Sequence, residues 1–234
     1  MHSFQLRGKR LILVGAGTFA QSLSRIVRCG RQFRLAGFVV DEEYVKSSSK
    51  SLCVPLIPLG AESLAEFSPS RHMAFVAVGP DQMSLTRQIL VERVRAMGYR
   101  LASIVSEGAD VPSELLRENT YVGSGARISQ EAEIGEGTVV HENAVISAHA
   151  SIGPYAYVGP GALVGSYARI GSHTVLGAGS VVKTHTEVGS ASLIGAGCYV
   201  SRDVPSKSLV IRKGDVPAGT FGSAVLSKLL EGSG

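Results

Sequence analysis

The chain has no tryptophan, and only 6% of its residues are aromatic. Its core must therefore be filled by aliphatic side chains, and it has no obvious platform for stacking nucleic-acid bases. The 3 cysteines, Cys29, Cys53 and Cys198, are scattered. That excludes a disulfide framework and a CxxC metal site, and it fits a reducing, cytoplasmic setting. The apolar run LILVGAG near the start is too short to span a membrane. It turns into a glycine motif instead of a cleavage site, so neither membrane insertion nor a signal peptide is expected. Charge is split unevenly: residues 1–105 carry 14 Lys and Arg against 7 Asp and Glu, whereas residues 106–234 carry 9 against 12. The basic surplus of the first half suits an anionic ligand such as a nucleotide diphosphate. Its basic residues are dispersed, which argues against nucleic acid as the partner.

What the sequence has in excess is glycine, 28 residues of it, and the glycines of the second half are periodic. Stepping by six from Val122 gives Ile128, Ile134, Val140, Ile146, Ile152, Val158, Val164, Ile170, Leu176, Val182, Val188, Ile194 and Val200, without a miss. Glycine follows the aliphatic residue in 9 of these 14 hexads, and the fifth place is usually small. A period of six means a short strand and a turn, with one aliphatic side chain pointing inward each time. Three strands close a triangular coil of 18 residues, and coils stack at the strand spacing of about 4.8 Å. Stacked coils bury a continuous core that no single repeat could bury alone. In this geometry the first and fifth residues of a hexad face inward, and the third and fourth lie at a corner. Val105–Leu116 reads as an imperfect opening coil.

The first half alternates strand and helix. RLILV (10–14) is a buried strand followed by Gly15-Ala16-Gly17-Thr18-Phe19-Ala20 and a helical stretch to Arg28. LAGFVV (35–40) is a second strand ending in Asp41-Glu42, and AFVAV (74–78) is another, ending at Gly79-Pro80-Asp81. Residues 84–97 have helical spacing. This order argues for a parallel α/β sheet. Glycines after the first strand let a phosphate approach a helix N-terminus, and an acid after the second can accept ribose or base hydrogen bonds.

The hexads IGPYAY, VGPGAL, LGAGSV and IGAGCY and the closing IGAGCYVSRDVPSKSLV resemble the hexapeptide acyltransferase superfamily, whose β-helices are left-handed and usually trimeric. Together with the glycine turn and acidic pair, the chain over roughly 9–218 resembles the sialic-acid O-acetyltransferase and bacillosamine N-acetyltransferase family. The resemblance implies an α/β half-Rossmann domain (1–104) that binds a sugar nucleotide, a left-handed parallel β-helix (105–218) that binds acetyl-CoA, and a tail (219–234). It implies a homotrimer that transfers an acetyl group to an amine or hydroxyl of the nucleotide-linked sugar, with no metal. Ala16, Gly17 and Thr18 match the family's phosphate turn, Asp41 and Glu42 its acidic pair, and Gly79 and Asp81 the loop after a later strand. Tyr157 matches the contact near the acetyl end, and Ala178 and Ala196 match contacts along the pantetheine arm. Gly177 and Gly195, beside them, would permit close approach. Arg212 and Lys213 could meet the 3′-phosphate, and Gly214-Asp215-Val216-Pro217 echoes the family's ending.

Acyl transfer needs a base for the attacking group and donors for the oxyanion. Of 6 histidines, His141, His149, His173 and His185 lie in the repeat. The family's base segment reads His, then Asp or Glu, two residues, then Ile-Gly. Residues 148–153, Ala-His-Ala-Ser-Ile-Gly, put His149 one place late and Ala148 at the base position. His149 is the expected base, with Glu131 one coil below as its orienting carboxylate. Two rival readings stand beside this one. Ala148 suggests a non-catalytic scaffold that binds sugar nucleotide without turnover. A metal-dependent β-helix enzyme would need a close histidine pair, and His149 and His185 lie two coils apart.

Overall fold

The structure, a computed structural model, describes residues 10–48 and 54–212. The N-terminal domain is a five-stranded parallel sheet in the order β3-β2-β1-β4-β5, with β1 Arg10–Val14 at its centre, β2 Arg34–Val40 and β3 Leu56–Pro58 on one side, and β4 His72–Val76 and β5 Arg100–Leu101 on the other. Helices α1 Thr18–Cys29, α2 Glu42–Ser48, α3 Ala61–Glu66 and α4 Leu85–Ala96 connect the strands. Alternate residues of β1 serve two cores. Leu11 and Leu13 pack with Leu23 and Val27 of α1, and Ile12 and Val14 pack with Val91 and Val94 of α4. A strand buried on both faces reads as the unbroken apolar run seen in the sequence.

From Ile104 the chain winds into a parallel β-helix of two-residue strands. Its docking face holds seven strands from Ile104–Val105 to Leu209–Val210. A second face runs from Arg127–Ile128 to Tyr199–Val200, and a third from Glu133–Ile134 to Glu187–Val188. Between Tyr121 and Val200 each strand pairs with the one 18 residues on, as in Val140 with Val158 and Val158 with Leu176, while the opening and closing coils are shorter by one and two residues. The first and fifth hexad residues are buried throughout, including Ile146, Ala150, Ile152 and Ala156. Each inward aliphatic side chain contributes about 2 kcal/mol. The opening coil is present: Ile104–Val105 pairs with Tyr121–Val122, Asp110 bridges to Arg127, and residues 113–115 form a 3-10 turn. At the other end Val204 bridges to Val188, and the amide of Glu187 donates to Asp203 at 2.8 Å. Lys213, Gly214–Pro217 and the tail 219–234 lie outside the described residues. Among the described residues no helix is long and apolar enough to cross a membrane.

The domains are locked together through one corner of the β-helix, between the third and docking faces. There Asn119, fully buried, accepts from the Val76 amide at 2.7 Å and donates to the Val76 carbonyl at 3.3 Å. One coil beyond Gly137, Tyr155 is buried in the α4-side core of the sheet domain. His173, one coil further on the same corner, stacks on Tyr155 at 5.4 Å and meets the Met83 carbonyl through Nδ1 at 3.1 Å. At the centre is Arg87 of α4, fully buried with no carboxylate beside it. It donates to the carbonyls of Val78 (3.0 Å) and Tyr155 (3.1 Å) and to Ser84 Oγ (2.8 Å). Burial lowers its pKa to about 10, so the guanidinium stays charged at neutral pH. The turn it braces is strained: Gln82, Met83 and Ser84 all have left-handed φ, at 46°, 53° and 66°. Such a conformation costs a non-glycine residue about 1 kcal/mol or more.

Arg87→Met keeps the stem and removes the guanidinium, leaving carbonyls from both domains without a donor. The expected loss is about 3 kcal/mol of domain docking. Calorimetry should show one unfolding transition for the parent chain and two for the variant.

Candidate active site

The C-terminal ends of β1, β2 and β4 open into a pocket of about 650 Å³. Ala16, Gly17, Thr18, Asp41, Gly79 and Asp81, all expected from the sequence, line it. Glu42 does not: it is exposed in the first turn of α2, and Glu43 and Tyr44 line the pocket instead. Helix α1 starts at Thr18 with no side chain capping its N-terminus, so its first amides are left for an anion. Asp41 is held by Arg93 at 2.5 Å, and Arg93 also donates to the Leu59 carbonyl at 3.0 Å.

Thr18, Phe19 and Gly79 also wall a second cleft of about 340 Å³, which runs between α1 and the docking face of the β-helix. Its far wall is Tyr121, His141, Glu142 and Tyr157. His141 follows Val140 at the end of its docking-face strand, with its ring 4.8 Å from Tyr157, 5.8 Å from Phe19 and 5.9 Å from Tyr121. Its Nδ1 lies 2.9 Å from Glu142 Oε2, and Glu142 Oε1 accepts from the Tyr121 hydroxyl at 2.8 Å. Burial alone would push the Glu142 carboxyl up. Hydrogen bonds from His141, from its own amide and from Tyr121 outweigh that and hold it below the usual carboxylate range. A carboxylate on that side requires the neutral imidazole to carry its proton on Nδ1, which leaves the lone pair on Nε2. That Nε2 is buried and has no hydrogen-bond partner among the described residues. The Glu142 hydrogen bond thus fixes the tautomer, and the lone pair on Nε2 can accept a proton.

His149 is elsewhere. It is exposed at the corner between the second and third faces, stacked on Tyr167 at 4.6 Å, and Tyr167 stacks on His185 at 4.7 Å. No hydrogen bond or ion pair joins His149 to the exposed Glu131 among the described residues, and neither residue lines the cleft. The interposed Tyr167 ring also keeps His149 and His185 apart. Among the described residues no cluster of three or more His, Cys, Asp or Glu is arranged to hold a metal ion. His141 and Glu142 form a His-then-acid pair, followed by Asn143, Ala144, Val145 and Ile146 in place of the segment's closing Ile-Gly. His141 and Glu142 lie 36 residues, two coils, below Gly177 and Ala178, and Gly195 and Ala196 follow one coil on. All six occupy one corner, between the docking and second faces, and Tyr157 touches His141.

Residues 10–94 match the family model of the PglD N-terminal domain, and residues 143–178 match that of the bacterial transferase hexapeptide (six repeats). No curated protein matches the chain. Among solved structures, the acetyltransferase domain of PglB from Neisseria gonorrhoeae FA1090, in complex with acetyl coenzyme A, is 22% identical with a TM-score of 0.74, covering 85% of this chain and 93% of that one. A histidine-to-asparagine mutant of perosamine N-acetyltransferase from Caulobacter crescentus, in complex with CoA and GDP-perosamine, is 25% identical with a TM-score of 0.75, covering 88% and 97%. WeeI from Acinetobacter baumannii AYE is 16% identical with a TM-score of 0.57, covering 86% and 96%, a likeness of fold alone. The chain thus pairs a PglD-type N-terminal domain with transferase hexapeptide repeats, in the fold of the acetyltransferases named above.

The corner glycines have a structural duty of their own. A Cβ on Gly177 would sit 2.5 Å from the Ala196 amide nitrogen of the next coil, so glycine is required there by stacking, whatever binds outside. Gly161, with φ +65°, has nothing within 4 Å of such a Cβ. Gly177→Ala should therefore lower stability by about 3 kcal/mol, because backbone cannot yield to a new methyl. Gly161→Ala should cost only the left-handed backbone penalty of about 1 kcal/mol. Urea midpoints at fixed protein concentration separate the two, and equal midpoints would show that Gly177 is not fixed by packing.

Proposed function

We propose that the chain transfers the acetyl group of acetyl-CoA to an amine of a nucleotide-linked sugar, with His141 as general base. The observation that carries this reading is the partnerless Nε2 of a Glu142-oriented histidine in a cleft that shares its walls with the nucleotide-type pocket. The nucleotide occupies the pocket at Gly17, Thr18, Asp41 and Asp81, and the sugar extends past Phe19 towards His141. Acetyl-CoA lies along the corner of Gly177, Ala178, Gly195 and Ala196 with its thioester near Tyr157. His141 Nε2 takes a proton from the amine as the amine nitrogen attacks the thioester carbonyl. The C–S bond then breaks, and the same proton passes to the departing thiolate, giving the acetamide and CoA. Perosamine N-acetyltransferase, a neighbour in fold, binds both CoA and GDP-perosamine, which supports this division of ligands between two domains.

His141→Ala should lower kcat by roughly 10²–10⁴-fold with little change in either KM. His149→Ala should stay within a few-fold of the parent, and a larger loss there than at His141 would overturn the assignment. In the same assay Asp41→Ala should raise KM for the sugar nucleotide alone, by an amount equivalent to about 1.5–3 kcal/mol.

The active unit is, on this reading, a homotrimer. The second face presents Val145, Leu163, Val181 and Tyr199 outward in one ladder, with Leu163 38% and Tyr199 63% exposed. An apolar ladder of this kind on a flat sheet fits a second copy of the chain. Sedimentation equilibrium should give three times the chain mass of 24.5 kDa, and a stable monomer at micromolar concentration would refute it.

A further inference from the structure

Glu142 orients His141, but a glutamate side chain has two free torsions beyond its β-carbon and would not hold one oxygen on Nδ1 unaided. The structure supplies the second restraint from the coil below. Tyr121, 1% exposed on the docking face, donates its hydroxyl to Glu142 Oε1 at 2.8 Å, while Glu142 Oε2 meets His141. Ser106 Oγ in turn lies 3.2 Å from the Tyr121 hydroxyl. The Tyr121 ring is fixed edge-on against both Phe19 (5.6 Å) and His141 (5.9 Å), so the donor cannot swing away without breaking the cleft wall.

We infer that Tyr121 is a positioning residue for the transfer reaction, clamping Glu142 in the rotamer that sets the tautomer and basicity of His141, with Ser106 as its backstop. The inference rests on the assignment of His141 as the base. Burial first, and Glu142 next, push the Tyr121 phenol well above its ordinary range, whereas Ser106 opposes the shift, so Tyr121 stays a donor at any working pH. The titratable and charged groups facing this chain are few. Tyr157 stands beside His141 with Arg87 behind it, and Glu107 and Cys29 lie across a cavity of about 240 Å³ behind Glu142.

The sign of the effect follows from charge sharing. A phenol hydrogen bond withdraws negative charge from the carboxylate, and the carboxylate stabilises the imidazolium formed when His141 takes a proton. Removing the hydroxyl leaves Glu142 more basic and the imidazolium better stabilised, so His141 should titrate at higher pH. A tyrosine that only packs would leave that titration where it is.

The test uses Tyr121→Phe, which keeps the ring, in the full chain. Expected are a kcat lower by about tenfold or more, the order found when the outer partners of a site histidine are removed, unchanged KM values, and an upward shift of the acidic limb of the kcat profile. NMR titration of the His141 imidazole, assigned by its loss in His141→Ala, should move up in step. In a Glu142→Ala background Tyr121→Phe should have no further effect, and in a double-mutant cycle that non-additivity is the signature of the clamp. Ser106→Ala should give the same shift, smaller. A Tyr121→Phe titration that overlays the parent, or equal Tyr121→Phe effects with and without Glu142, would overturn the proposal. A His141→Ala variant with near-parental kcat would instead sink the base assignment, while the NMR titration would still decide whether Tyr121 governs the pair.

Discussion

Everything in this molecule depends on the 18-residue register of the β-helix. Because strands pair in parallel with partners one coil away, every sixth residue must be aliphatic, and each hexad place is assigned to the interior, a face or a corner. A one-residue insertion would move the whole inward set outward, so the register is strongly specified. Three columns of corner residues result, and each has a different task. One holds the N-terminal domain through Asn119, Tyr155 and His173. One carries His141 and Glu142 below Gly177 and Gly195. The third, with His149, Tyr167 and His185, stacks its rings in the open.

The fold was legible because both signals behind it are local. An unbroken series of 14 aliphatic residues states the coil, and strand runs ending in glycine or acid state the α/β sheet. The pocket residues Ala16, Gly17, Thr18, Asp41, Gly79 and Asp81 were legible for the same reason, since the ends of parallel strands converge wherever such a sheet forms. Glu42 and Glu43 differ by one helical step, and nothing in the sequence says which faces the pocket. The docking of the domains was not legible at all. Arg87 reads as an ordinary helix-surface arginine, and only the approach of Tyr155 from 68 residues away buries it. The same approach sets His173 against the Met83 carbonyl of the strained turn.

The segment of His, acid, two residues and Ile-Gly is split in this chain: its Ile-Gly stands at Ile152-Gly153, whereas a His-acid pair stands at His141-Glu142, seven residues before the place that this Ile-Gly assigns to the base. On the proposal that His141 is the base, Ala148 does not mark a missing one, and it lends no support to a non-catalytic scaffold.

Backbone conformation separates the two kinds of histidine. The fourth hexad place takes a left-handed φ at His149, His173 and His185, and at Asn143 and Gly161 as well. Tyr155, Tyr167 and Ala191 take it too, so the coil imposes this turn on whatever residue stands there, and a histidine at the fourth place says little about chemistry. The second place is different. Glycine fills it in 9 of 14 hexads because the next coil leaves almost no room for a Cβ: one added at Gly123 would sit 2.6 Å from the Glu142 amide nitrogen. The other exceptions are three serines and Lys183, and the only ring is His141. At His141 the chain gives up the residue that stacking favours and surrounds the ring with Phe19, Tyr121 and Tyr157. A local rule broken without a packing gain marks function more strongly than a histidine that obeys one.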